Sequence, residues 1–229
     1  YKSGFVPRGN TQYGKHHTYT YEVGETTATE SDGSGGTRTT RTATGSGPAT
    51  WFHDGTRNGI ADYVGDVWKW MSGLRIYKGE IQIFVGNLAA KQVSHLAAST
   101  YWKAILPNGS LVEPGTPGTL KYTKDFKIAT DTGAAGSTYT ANFGNLVAGT
   151  GVTTIPEILK ALFLAPVSGV THTGAFWINN EDERLPLVSG SCHNSSNAGP
   201  SALNLLTPRS GVGTDVGFFS AFMELESAI

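Results

Sequence analysis

Residues 184–219 hold the feature that most restricts the fold: a long run of Ser, Asn, Gly and Thr with a single His, His193. Apolar blocks flank it, Trp177-Ile178 before and Val216-Gly-Phe-Phe219 after. Residues of these small polar types neither fill a core nor hold a long helix. The run therefore belongs on a surface, pinned at both ends by a core. A polar, irregular surface held on a scaffold is what recognition requires, and Ser, Gly and Asn supply adaptable hydrogen bonds. The alternative is an ordinary solvated loop.

The rest of the 229-residue chain suits one large domain or two small ones. Charged residues make up only 15% of it, while Gly, Thr and aromatics are abundant. That balance favours short strands joined by many turns. A formal net charge of −1 gives no electrostatic footprint for nucleic acid or an anionic membrane. No apolar run approaches the roughly 20 residues of a membrane span, so membrane insertion is not expected. The single cysteine, Cys192, excludes an intramolecular disulfide and a multi-cysteine metal site. The sequence opens on Tyr1 rather than Met, so a signal peptide or an N-terminal assembly domain can precede it.

Aromatic and polar residues alternate around Tyr19, Tyr21 and Val23, which reads as strand. Residues 31–50 are low in complexity and read equally as a linker or as a long loop within one domain. Ile60, Val64, Val67, Trp68 and Met71 fall at helical spacing and predict an amphipathic helix over 58–71, ending near Gly73. Leu74 to Val85 reads as a hairpin turning at Lys78-Gly79, and Trp102 to Val112 as a second with an Asn108-Gly109 turn. The Ala-rich stretch 86–99 is helix or loop, and 119–145 is strand and loop. Thr154-Ile-Pro-Glu157 forms a capping-box pattern that opens a helix over 155–164. Strands near 175–179 and 214–224 complete the pattern.

Two blocks resemble the formylglycine-generating-enzyme branch of the C-type lectin fold. The first, Trp51 to Trp70, includes Asn58-Gly-Ile60 and Gly65-Asp-Val-Trp-Lys-Trp70 and is similar to the family's "NGI.D..GNVWEW" signature. The second is Arg184-Leu-Pro-Leu187 followed by the polar run, with Asn194, Ala198, Gly199, Ala202, Leu203, Asn204, Leu205, Arg209, Ser210 and Gly217 at the family's ending positions. Asp66 stands where the signature has Asn, Lys69 where it has Glu, and the ending's Arg and Trp are missing around residues 188–192. The resemblance covers roughly residues 47–85 and 172–222. It implies an α+β, C-type lectin-like domain over 1–229: a small twisted antiparallel sheet with two helices, long loops and an insert at about 86–150.

The order of the blocks resembles phage tail receptor-binding proteins and the variable proteins diversified by retroelements. That implies a non-catalytic, homotrimeric tail-tip protein that attaches to a bacterial surface receptor, protein or glycan. A secreted or cell-surface bacterial lectin-like protein is the alternative. Ligand contacts are expected from 188–215, namely Ser191, His193, Asn194, Ser196, Asn197, Ser201, Thr207, Thr214 and Asp215, with Trp177 lining the surface or packing in the core. Enzymes of the superfamily use paired cysteines and copper, which Cys192 alone cannot reproduce, and no nucleophile-elbow context surrounds any serine. Cys192 reads as a small buried residue and not as one half of a dyad with His193. Lectins of this fold hold Ca²⁺ with carboxylate and amide oxygens. Asn179-Asn-Glu-Asp-Glu183 offers such oxygens, and so do Asp54, Asp62 and Asp66. A solvated turn is the other reading of 179–183. His16-His17 lacks a nameable third ligand.

Overall fold

The computed structural model describes residues 4–91 and 93–219. Strand dominates: 28% of the described residues are strand and 8% helical, and the one α-helix among them spans only Glu157–Ala161. The expected α+β architecture, a small antiparallel sheet carrying two helices, is therefore replaced by a large curled sheet of 13 strands.

Two strands, β1 (Thr26–Ser31) and β2 (Thr37–Thr42), stand apart as an antiparallel hairpin. The low-complexity stretch, 31–50, is thus partly strand, with 37–42 forming β2 and 43–48 irregular. Its Thr-Arg-Thr-Thr-Arg-Thr run is a β-branched strand facing Glu30 across the ladder, with Asp32 closing the turn onto the Ser34 and Gly36 N–H groups. Tyr19 and Tyr21 belong to no strand, and nearby Val23 makes only an isolated bridge to Lys15.

The main sheet begins with β3 (Trp68–Trp70), β4 (Leu74–Tyr77) and β5 (Glu80–Ile83). The β4–β5 hairpin turns at Lys78 and Gly79, both at positive φ, in the register expected from the sequence. The Asn108-Gly109 hairpin also forms, from β6 (Lys103–Ile105) and β7 (Leu111–Val112). Next come β8 (Lys121–Tyr122), β9 (Lys127–Ala129), β10 (Ser137–Thr140) and β11 (Val147–Ala148). The segment read as an insert therefore supplies strands to the same sheet. The closing strands are β12 (Phe176–Asn179), β13 (Glu183–Val188), β14 (Leu203–Thr207) and β15 (Val216–Gly217). The principal order is β10-β12-β14-β13-β4-β5-β8-β9-β11, with β3 bridging β13 and β15. Residues 220–224, at the end of the last expected strand, lie outside the described residues.

The helix expected over 58–71 is absent because its backbone turns left-handed at Asp62, Gly65 and Asp66. Ile60 and Met71 are consequently exposed while Val64 and Trp68 are buried, so their helical spacing does not mark one face. The capping box at 154–157 does not form either: Pro156 is the N-cap and no side chain caps the helix. Phe163, at φ 60, stops it after little more than one turn. Of its expected buried face, Leu159 is buried, Ile155 and Ile158 are half-buried and Leu162 is exposed.

The main core gathers Ile76, Ile81, Ile105, Leu120, Tyr122, Ile128, Phe143, Leu159, Phe176, Ile178 and Leu205 between the curled faces. A smaller cluster of Trp68, Leu187 and Ala202, flanked by Trp70, Trp177 and Val216, lies beneath the polar run. Among the described residues no helix is long and apolar enough to cross a membrane.

Candidate functional site

The polar run is tightly fixed. Ser189 donates its N–H to the Ala202 carbonyl and accepts one from Gly65. Cys192 N–H donates to the Asp66 carbonyl, Ser195 N–H to that of Thr11, and Tyr13 N–H to that of Cys192. The Asn194 side-chain oxygen accepts both the N–H and the hydroxyl of Ser191, an Asx-type lock. Gly190 is at φ 81, and a Cβ there would meet the Ala198 Cβ at 2.6 Å. Over 189–202 a segment rich in Ser and Asn is therefore pinned by neighbouring backbone and by its own side chains, although Ser189 Oγ finds no partner among the described residues.

Asp66 anchors this arrangement. Its Oδ1 accepts from Asn10 Nδ2, from Thr42 N–H and from the Thr42 hydroxyl. Its backbone N–H donates to the Asn10 carbonyl and its own carbonyl accepts from Cys192. One residue of the signature block thus ties together the N-terminal arm, the end of β2 and the polar run. Burial drives the pKa of Lys69 down to about 7, against the opposing pull of Asp66 and then Asp62. Burial raises Asp62 above the usual carboxylate range, and its Oδ1 finds no partner among the described residues.

The β1–β2 hairpin lies beside the polar run. The His193 Nε2 is 3.5 Å from Glu30 Oε1. Glu30 pairs with Arg38, whose guanidinium lies 4.0 Å over the Tyr13 ring. That ring in turn meets the His193 imidazole at 5.3 Å. Arg41 Nη1 donates to the Thr214 carbonyl. The result is a polar surface, half-buried at Tyr13, Glu30, Arg38 and Arg41 and exposed at His193 and Thr214, contributed by three separate stretches of chain.

The expected contact residues divide accordingly. His193, Ser196 and Thr214 are exposed, and Asn194, Asn197, Thr207 and Asp215 are half-buried. Ser191 and Ser201 are buried, engaged with Asn194 and close to His172 Nδ1 respectively. Trp177 is half-buried, edge-on to Trp68 at 5.2 Å and stacked on the exposed Tyr139 ring at 6.0 Å. It packs against the smaller cluster. Tyr13, Glu30, Arg38 and Arg41 escaped the sequence reading. No local signal marks them as neighbours of 188–215.

Cys192 is 1% exposed, and burial, with the nearby Asp66, Asp215 and Glu30 charges, pushes its thiol up to about 12. A thiol so placed is not a nucleophile, and His193 is directed to Glu30. The oxygens of 179–183 do not converge on a cation. Glu183 is held by Arg209 and Arg75, the Asn180 side-chain oxygen accepts from Gly136, and that of Asn179 from Glu181. Asp54 is turned onto Thr56. His16 Nδ1 accepts the N–H groups of Thr18 and Tyr19. Among the described residues no group of three or more His, Cys, Asp and Glu side chains is placed to hold a metal ion.

Comparison with known proteins finds no family model that matches the chain and no curated protein that matches it.

Proposed function

We propose that this chain is a non-catalytic receptor-binding protein, and that its ligand surface is the exposed face formed by 188–215 and the β1–β2 hairpin. The observation that carries this reading is a run of small polar residues hydrogen-bonded to its neighbours over 189–202 while His193, Ser196 and Thr214 are exposed. Pre-ordering a polar surface lowers the entropy cost of binding. Nothing in the same surface supplies an activated nucleophile or a convergent acid–base pair. The two signature-like blocks support a relationship to phage tail receptor-binding proteins, with a bacterial surface protein or glycan as receptor and the virion tail as location. A homotrimer would combine weak sites into avidity. A secreted or cell-surface bacterial binding protein is the second reading.

The test is binding of the fluorescently labelled protein to a panel of intact bacterial strains. Strain-selective, saturable binding is expected. Absence of binding to every strain, with the protein in its native oligomer, would count against a host-attachment role.

A further inference from the structure

A second cleft, of about 560 Å³, opens between the β4–β5 hairpin, the start of β13 and the loop before β8. It shares no lining residue with the surface described above. Arg75, Tyr77, Lys78, Glu80, Lys121 and Glu183 are among its walls.

Its charges are unevenly satisfied. The Glu80 carboxylate, 5% exposed, accepts from the Gly115 N–H, the Thr119 hydroxyl and Gln82 Nε2. Glu183 is shared between Arg75 and a two-point grip by Arg209. Both carboxylates are thus turned onto protein donors. Glu181 and Asp182, the neighbouring acids, are not part of the lining.

The cations are less fully engaged. Arg75 is 7% exposed, and its guanidinium lies 4.5 Å over Trp102. Its Nε donates to Gln82, and its Nη1 to Glu183 and the Ala97 carbonyl. Nη2 donates to none of the described residues. Lys121 Nζ meets only the carbonyls of Thr119 and Thr130. Lys78 faces no carboxylate among the described residues and sits 5.7 Å from the Tyr77 ring, which is 47% exposed. A guanidinium whose Nη2 has no protein acceptor among the described residues, and two lysines with no carboxylate partner among them, favour an anionic acceptor. The exposed ring beside them offers an apolar face for the carbon skeleton that carries the anion.

We infer that this cleft binds an anion-bearing sugar or polyol, its carboxylate or phosphate received by Arg75, Lys78 and Lys121 and its carbon face laid on Tyr77. The inference stands independently of the receptor-binding surface.

Isothermal titration of the full chain with glucuronic acid, glycerol 3-phosphate, inorganic phosphate and glucose tests it. Saturable binding of glucuronic acid or glycerol 3-phosphate is expected, whichever binds more tightly distinguishing a carboxylate-bearing from a phosphate-bearing ligand. Glucose should not bind at the same concentration. Lys78→Asn removes the charge and suits the left-handed turn position; it should weaken the anionic probe about tenfold. Tyr77→Ala should weaken glycerol 3-phosphate or glucuronic acid while leaving inorganic phosphate unchanged. Absence of saturable binding by either organic anion, equal binding of glucose, or full affinity in a folded Lys78→Asn variant would overturn the assignment. So would inorganic phosphate binding as tightly as the organic anions.

Discussion

The Asp66 carboxylate and the Lys69 ammonium lie within one short stretch of chain, both nearly buried at 8% and 4% exposure, and the carboxylate charge holds up a lysine that burial would otherwise discharge further. These are the two positions at which the block Gly65 to Trp70 departs from the signature it resembles. Asn with Glu has become Asp with Lys, so the carboxylate has moved across the pair. Asp66 also carries the hydrogen bonds that tie Asn10 and Thr42 together.

Asp66→Ala removes the acceptor for three donors and leaves Lys69 short of a counter-charge. The expected cost is about 3–5 kcal/mol. Asp66→Asn keeps an acceptor oxygen and should cost about 1–2 kcal/mol. Combining it with Lys69→Glu should restore part of that loss, with a coupling of about 1–3 kcal/mol. Urea unfolding of the four proteins reads the cycle. Strict additivity would show the two substitutions to be independent.

Gly190 is the second place where the polar run depends on one residue. Gly190→Ala meets both a left-handed backbone and the Ala198 Cβ at 2.6 Å, and should cost about 2–3 kcal/mol. Gly33→Ala, also at positive φ but with open space around the added methyl, should cost only about 1 kcal/mol. Equal effects at the two positions in thermal unfolding would mean that the contact with Ala198 is not tight.

His16 predicts acid sensitivity. Burial first, then the His17 charge, lowers its pKa from 6.5 to about 4, and its Nδ1 accepts two backbone N–H groups. Below pH 6.5 the unfolded chain takes up a proton that the folded chain refuses until near pH 4, so stability falls as pH falls through that window. His16→Gln should be less stable at pH 7 yet show a shallower decline between pH 6.5 and 4. An unchanged slope in the variant would assign the acid sensitivity to other groups.

Cys192 should resist alkylation. At 1% exposure, with its thiol pushed up to about 12, it should react with iodoacetamide at pH 8 at least about a hundredfold more slowly than the same thiol in urea. Rapid modification of the folded protein, followed by mass spectrometry, would show that the polar run opens readily.

Both hairpins were legible in the sequence because their turns demand particular backbone angles: Lys78, Gly79 and Gly109 sit where left-handed residues must be. The helix over 58–71 was misread because apolar spacing is blind to what Asp62 and Asp66 do. Their carboxylates accept backbone N–H groups from Gly45 and Thr42, and that long-range pairing overrides the local pattern. The helix at 157–161 was found but overextended, since nothing local marks Phe163 as left-handed. The polar run was visible as a surface by its composition. The partner side of that surface was not, because Tyr13, Glu30, Arg38 and Arg41 reach it only through the fold. Ser191 and Ser201 look like contacts in sequence and are buried, since a serine that satisfies a neighbour has the same letter as one that meets a ligand.

The central claim is that recognition runs through the face shared by 188–215 and the β1–β2 hairpin. Its most direct test is the affinity of a Arg38→Ala/His193→Ala/Ser196→Ala/Thr214→Ala variant, with a wild-type thermal midpoint, for a bacterial strain that the unaltered protein binds. The account predicts at least about a hundredfold loss, roughly 3 kcal/mol. Undiminished binding by the folded quadruple variant would contradict it.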